Sequence, residues 1–182
     1  MRHTNLNMAL RAALLAALTA VLSQVQLAIG PVPFNLAVMG AFLAGMLLRP
    51  AWAACALAVY MALGLIGIPV FAGFAGGPAV LFGKTGGYVL GYLCIAWCTA
   101  MARGFDHWWL TAAGMALGLA LCYGLGTAWF MAVTGISFTQ SLMFCVWPFL
   151  IPDVIKGVCA FAVGTAVNKG MAHGAAYETG KH

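Results

Sequence analysis

The chain consists of long apolar blocks separated by short clusters of Gly, Pro and charged residues. A helix needs about 20 predominantly apolar residues to cross a bilayer's hydrocarbon core. A chain of 182 residues therefore has room for at most six or so such blocks with short connections. The punctuation divides it into six. The first block covers roughly 8–28 and ends at Gly30-Pro31-Val32-Pro33; the second, 34–48, stops at Arg49-Pro50; the third, 51–66, stops at Gly67-Ile68-Pro69. The remaining blocks cover roughly 85–102, 108–133 and 142–168. This pattern predicts an all-α membrane protein of six transmembrane helices, forming one domain over 1–182.

Composition narrows the function classes. Hydrophobic residues make up 64% and charged residues 6%, against roughly 45–50% and about 25% in soluble domains. Eight Lys/Arg and three Asp/Glu cannot solvate a globule of this size, which excludes a soluble enzyme or a disordered chain. The scattered cations form no stripe that could follow a phosphate backbone, so no nucleic-acid partner is expected. The cationic start and apolar 12–22 imitate a signal peptide. The apolar stretch continues past Ser23 without a convincing cleavage site, so it reads as a retained first helix.

Charge also orients the spans. Arg2, Arg11, Arg49, Arg103, Lys169 and Lys181 all fall on the side of the termini, and only Lys84 falls in a loop on the other. Cytoplasmic loops carry the excess of Lys and Arg. Both termini are therefore expected in the cytoplasm, with a Gly-rich outer loop between the third and fourth helices.

Two features carry candidate chemistry. The sixth span contains Ile151-Pro152-Asp153-Val154-Ile155-Lys156, although Asp or Lys at the bilayer centre costs roughly 2.5–3.5 kcal/mol each. Three residues apart, the two side chains share a helix face and partly neutralise each other, while Pro152 removes a backbone donor beside them. They fall in the outer half of the span. An ion pair that only fixes packing is one reading; a ligand site facing a polar cavity is the stronger one. The outer loop from Gly67 to Tyr88 holds seven glycines, two prolines and one cation. Irregular backbone near a membrane must be buried by protein or line a cavity, so this loop is expected to cover an outward-facing pocket.

Other signals are weaker. Gly83-Lys84-Thr85 imitates the end of a phosphate-binding loop, but the preceding glycine spacing and strand context are wrong. Ala9, Ala13 and Ala17, like Ala12, Ala16 and Ala20, form small-residue stripes on the first helix. Such stripes suit close helix packing, either inside the bundle or against a partner membrane protein. Gly83, Gly87 and Gly91, with Gly114 and Gly118, read as packing faces within the molecule. Aromatics near the outer ends (Phe34, Phe71, Phe74, Tyr88, Tyr92, Trp147, Phe149) read first as interfacial belt or core; Phe71, Tyr88 and Trp147 are the best pocket-wall candidates. The six cysteines lie in apolar runs without a Cys-x-x-Cys pair and read as small buried side chains. The four histidines lack metal-ligand spacing, and no metal is expected.

Taken together, Gly30-Pro31-Val32-Pro33-Phe34, Gly67-x-Pro69-Val70-Phe71-Ala72-Gly73, Gly76-Gly77, Gly83-x-Thr85-Gly86-Gly87-Tyr88, Gly91 and Pro152-Asp153-x-x-Lys156 resemble the BioY family, the biotin-binding substrate components of energy-coupling-factor (ECF) transporters. The resemblance runs from the first span to the last. Lys84 departs from it, standing where the family has Pro. It implies a six-helix protein of the cytoplasmic membrane that captures biotin from outside and works with a transmembrane coupling protein and an ABC-type ATPase pair. It also implies that the face with Ala9, Ala13 and Ala17 docks the coupling protein.

The resulting substrate-binding set is Asp153, Lys156, Lys84, Tyr88, Phe71, Gly76, Gly77 and Trp147. Asp153 suits the ureido N–H groups of biotin. Lys156 suits its carbonyl or its carboxylate, and Lys84 is a second candidate for the carboxylate. No nucleophile–base pair appears, so neither an enzyme activity nor a cofactor beyond the transported biotin is expected. The competing readings are a proton-coupled small-solute carrier with Asp153 as its relay, and a lipid-modifying membrane enzyme. The second would need a catalytic His or Ser constellation that the sequence lacks.

Overall fold

The computed structural model describes residues 2–27 and 34–179, with side chains over 5–26 and 34–173. The Gly30-Pro31-Val32-Pro33 motif, Lys181 and the side chain of Arg2 lie outside the described residues. Helix α1 (Arg2–Gln24) leads into a minimal antiparallel hairpin, β1 (Gln26–Leu27) with β2 (Phe34–Asn35), in which Gln26 faces Asn35 and Leu27 faces Phe34. Then follow α2 (Ala37–Leu47), α3 (Pro50–Leu65), the single turn α4 (Pro78–Leu81), α5 (Gly86–Arg103), α6 (Trp108–Thr134), α7 (Phe138–Cys145) and α8 (Trp147–Thr179).

Helix α2 is the hub. Nine of its eleven residues are buried, and it packs against α1, α3, α5 and α8. A helix apolar on every side is enclosed either by other helices or by lipid, and here neighbouring helices enclose it. At about 1.5 Å per residue it is roughly 16 Å long, far short of a ~30 Å hydrocarbon core. The expected second span, 34–48, is realised as these eleven residues, preceded by the hairpin strand β2. Its C-terminal carbonyls, orphaned as at any helix end, receive side-chain donors from neighbours: Asn168 Nδ2 to Met46 O at 2.9 Å and Arg103 Nη2 to Leu48 O at 3.5 Å.

Among the described residues three helical stretches are long and apolar enough to cross a membrane: Asn5–Gln24, Trp108–Thr134 and Trp147–His173. Helices α5 and α6 form an extensive antiparallel pair. Small residues allow their close approach, as expected for Gly87, Gly91, Gly114 and Gly118. A Cβ at Gly91 would meet Cys122 Sγ at 2.6 Å, and one at Gly118 would meet Ile95 Cα at 2.8 Å.

The sixth span differs from its expected course. It breaks at Val146 between α7 and α8. Pro148 lacks the N–H that a continuous helix would need there. The break sets the rotation of α8, whose Ile151, Val154, Ile155 and Val158 face outward while Phe149, Asp153, Lys156 and Ala160 face inward. The cysteines divide: Cys122 and Cys145 are buried, whereas Cys55 and Cys159 face outward, where apolar surroundings suit a thiol as well as a core does.

Candidate functional site

Asp153 and Lys156 are 3% and 5% exposed, one helical turn apart on the inner face of α8. Lys156 Nζ donates to Asp153 Oδ1 at 2.6 Å. The second carboxylate oxygen, Oδ2, accepts the Tyr123 hydroxyl from α6 at 2.7 Å. Lys156 Nζ also stands 3.8 Å from the centroid of the Phe34 ring, and Phe34 stacks on Phe149 with centroids 6.3 Å apart. An unpaired buried charge is heavily penalised, and removing one partner of such a pair costs about 3–5 kcal/mol. Here each charge meets opposite charge, a hydroxyl donor or an aromatic face.

This cluster lines a small cavity of about 40 Å³ together with Asn35, Val38, Tyr88, Tyr92, Leu119, Cys122, Cys145 and Phe149. Through Asn35, Tyr88 and Tyr92 the small cavity adjoins a larger one of about 300 Å³. The larger cavity is walled by Tyr60, Phe71, Tyr88 and Tyr92, and roofed by loop residues from Ala72 to Thr85, Lys84 among them. A third space of about 530 Å³ lies between α6 and α8, touches Asp153 and Tyr123 at its inner rim and is otherwise nearly all apolar. A ligand pocket needs a few convergent polar groups within an apolar lining. That combination belongs to the first two cavities, whatever the size of the α6–α8 groove.

The loop over the larger cavity is folded against the helices. Gln24, the last residue of α1, accepts the Phe74 N–H on Oε1 at 2.9 Å and donates from Nε2 to Phe71 O at 3.2 Å. Ser23 donates to Val70 O, and Gly77 N–H reaches Gly64 O at 2.7 Å. Phe71 is thereby inserted, 2% exposed, edge-on to Tyr60 with centroids 5.5 Å apart. Its ring lies directly over Gly64, where a Cβ would collide with it. Tyr88 is held by its hydroxyl against Thr127 Oγ1 at 3.2 Å.

The family model described as the BioY family matches residues 1–173. This chain belongs to the BioY family. Its relatives include a protein of Pyrococcus horikoshii described as "Probable biotin transporter BioY", 37% identical over 83% of this chain and 90% of that one. "Biotin transporter BioY2" of Lactococcus lactis subsp. cremoris is 32% identical over 98% of this chain and all of that one. Among solved structures, the crystal structure of the S-component for biotin from an ECF-type ABC transporter aligns with a TM-score of 0.84 over 93% of this chain and 94% of that one. At 23% identity that likeness establishes the fold. The BioY-family chain is thus an all-α, multi-pass membrane protein.

Of the candidate residues of this BioY chain, Asp153, Lys156, Tyr88, Phe71 and Lys84 line the two adjoining cavities. Trp147 does not. It opens α8, 66% exposed on the outer surface, and Phe149, two residues on, takes the inward position. Gly76 and Gly77 shape the loop instead of lining the cavities. A Cβ on Gly76 would meet Ile68 O at 2.7 Å, and Gly77 has φ = 92°, a left-handed conformation suited to glycine.

The two alanine stripes of α1 separate. Ala12 and Ala16 are buried, whereas Ala13 and Ala17 lie exposed beside Leu10, Leu14 and Leu18. Asn35, Tyr92, Tyr123, Phe34 and Phe149 join the site although the sequence either passed over them or placed them in the belt. The available signal was the pair of tyrosines inside apolar spans, since a buried phenol hydroxyl usually finds a partner.

Proposed function

We propose that this chain binds biotin as the substrate-capturing S-component of an ECF-type transporter in the cytoplasmic membrane. The observation that carries the reading is the buried Asp153–Lys156–Tyr123 cluster at the base of an aromatic cavity, in a chain whose BioY-family match spans 1–173. The larger cavity, at about 300 Å³, is of the size that holds small ligands. Biotin offers two ureido N–H donors, one carbonyl acceptor, an apolar sulfur ring and a carboxylate. Asp153 and the Asn35 amide suit the ureido edge, and Tyr60, Phe71, Tyr88 and Tyr92 enclose the rings.

Recognition is the whole of the chemistry, and the protein is not an enzyme. ATP hydrolysis belongs to separate subunits, an ABC-type ATPase pair joined through a transmembrane coupling protein. The exposed face around Ala13 and Ala17, with Ala9 half-buried one turn earlier, supports docking of a coupling helix, because small residues let helices approach closely in lipid. The six-against-one distribution of Lys and Arg supports a topology with both termini in the cytoplasm and the Lys84 loop outside. A proton relay would need Asp153 free to exchange its partners. Both of its oxygens are instead engaged, as a fixed recognition element requires.

Binding of tritiated biotin to the purified protein tests the reading. Asp153→Asn is expected to weaken it about 10- to 100-fold, since a hydrogen bond to a charged group is worth about 1.5–3 kcal/mol. Unchanged affinity in both Asp153→Asn and Lys156→Ala would overturn the site.

A further inference from the structure

The two ends of the joined cavities differ electrostatically. At the inner end Lys156 is already committed, with Asp153 Oδ1 at 2.6 Å and the Phe34 ring at 3.8 Å. A second carboxylate brought there would meet the negative charge of Asp153, and like charges in a buried site repel strongly. The groups remaining at that end, Asn35, Tyr92 and Tyr123, suit a neutral hydrogen-bonding ring.

The outer end carries a cation that meets no countercharge among the described residues. Lys84 lines the larger cavity beside Gly83 and Thr85 and is itself exposed. The chain contains only three acids, Asp106, Asp153 and Glu178. Asp153 holds Lys156, Asp106 precedes α6 and Glu178 belongs to the last turn of α8. The backbone carrying Lys84 is anchored, because Trp129 Nε1 donates to Gly83 O at 2.9 Å and Thr85 O accepts the Tyr88 N–H at 3.1 Å in the first turn of α5. The dipole of that helix adds positive potential at the same place.

We infer that Lys84 is a carboxylate clamp: the ligand enters ring first, its carboxylate stays at the mouth on Lys84, and the protein thereby selects free acids over their neutral amides or esters. The inference rests on the reading of the cavity as a biotin site, and makes Lys84 a specificity-determining residue of this particular chain. Because the contact is at the mouth, it is open to screening by salt, whose Debye length is about 10 Å at 0.1 M.

Calorimetric titration of the full-length protein with biotin and with biotinamide, its uncharged amide, tests the inference in the wild type, Lys84→Met and Lys84→Arg. The wild type is expected to favour the acid up to about fivefold, as one partly screened charge pair allows. Lys84→Met should bring that ratio near one by weakening the acid alone, with the amide within about twofold of wild type. Lys84→Arg should retain the preference, and added salt should reduce it only where a cation is present.

A Lys84→Met protein that keeps the wild-type ratio, or weakens acid and amide alike, overturns the clamp while the biotin site stands. Equal wild-type affinity for both ligands does the same. A wild type that binds neither ligand overturns both readings.

Discussion

Asp153 divides its carboxylate between a cation on its own helix and a hydroxyl from another, 2.6 Å and 2.7 Å away. The first contact follows from spacing, because residues three apart on a helix are neighbours. An acid and a base inside an apolar block were therefore legible as a pair. The second contact was not, because nothing local ties position 123 to position 153. Tyr123 is expected to orient the carboxylate while Lys156 neutralises it. Tyr123→Phe leaves Oδ2 without its donor and should lower stability by about 1–3 kcal/mol, the cost of an unsatisfied buried polar group. Thermal unfolding in detergent checks this, and an unchanged midpoint would mean that the Tyr123 hydroxyl contributes nothing to holding Asp153. Trp147 illustrates the opposite error. Its proximity in sequence to Asp153 suggested a pocket wall, but the break at Val146 directs it outward.

At the scale of elements, the loop between α3 and α4 derives its shape from the end of α1. Gln24 supplies both an acceptor and a donor to loop backbone between Phe71 and Phe74, substituting for the regular ladder that this segment lacks. Gln24→Ala is expected to raise hydrogen exchange at Phe74 and to weaken biotin binding several-fold, as each such bond is worth about 0.5–1.5 kcal/mol. Unaltered exchange at Phe74 would show that the loop holds itself in place. The α5–α6 contact depends instead on absent side chains. Gly118→Leu inserts atoms into a space where even a Cβ would stand 2.8 Å from Ile95 Cα, and overpacking of this kind costs about 1–3 kcal/mol or more. An unfolding temperature that does not fall would contradict the close approach. The existence of these long helices was legible from their apolar blocks. The enclosure of α2 by its neighbours was not: hydropathy measures how apolar a segment is, and a helix enclosed by protein is as apolar as one enclosed by lipid.

At the scale of the molecule, the two faces of α1 separate intramolecular packing from the surface proposed for coupling. Ala13→Trp combined with Ala17→Trp changes only exposed positions. It should leave biotin affinity within about twofold while abolishing uptake driven by the ATPase partners, because a bulky residue prevents close helix approach. Loss of binding together with uptake would assign that face to folding instead. The orientation has its own test: Lys84→Cys should react with an impermeant thiol reagent added outside intact cells, and Arg49→Cys should not. Labelling of Arg49→Cys alone would reverse the topology.

From the sequence came the membrane environment, the buried charges and the Gly-rich loop, because composition and helix-period spacing act locally and leave their mark along the chain. The resemblance carried by its motifs added the family. The tertiary structure alone determined which aromatics surround the site, that Tyr123 completes the ion pair, and which alanine stripe is left uncovered. Those facts depend on how helices far apart in sequence rotate against one another, a quantity set by packing complementarity between them and by no single segment.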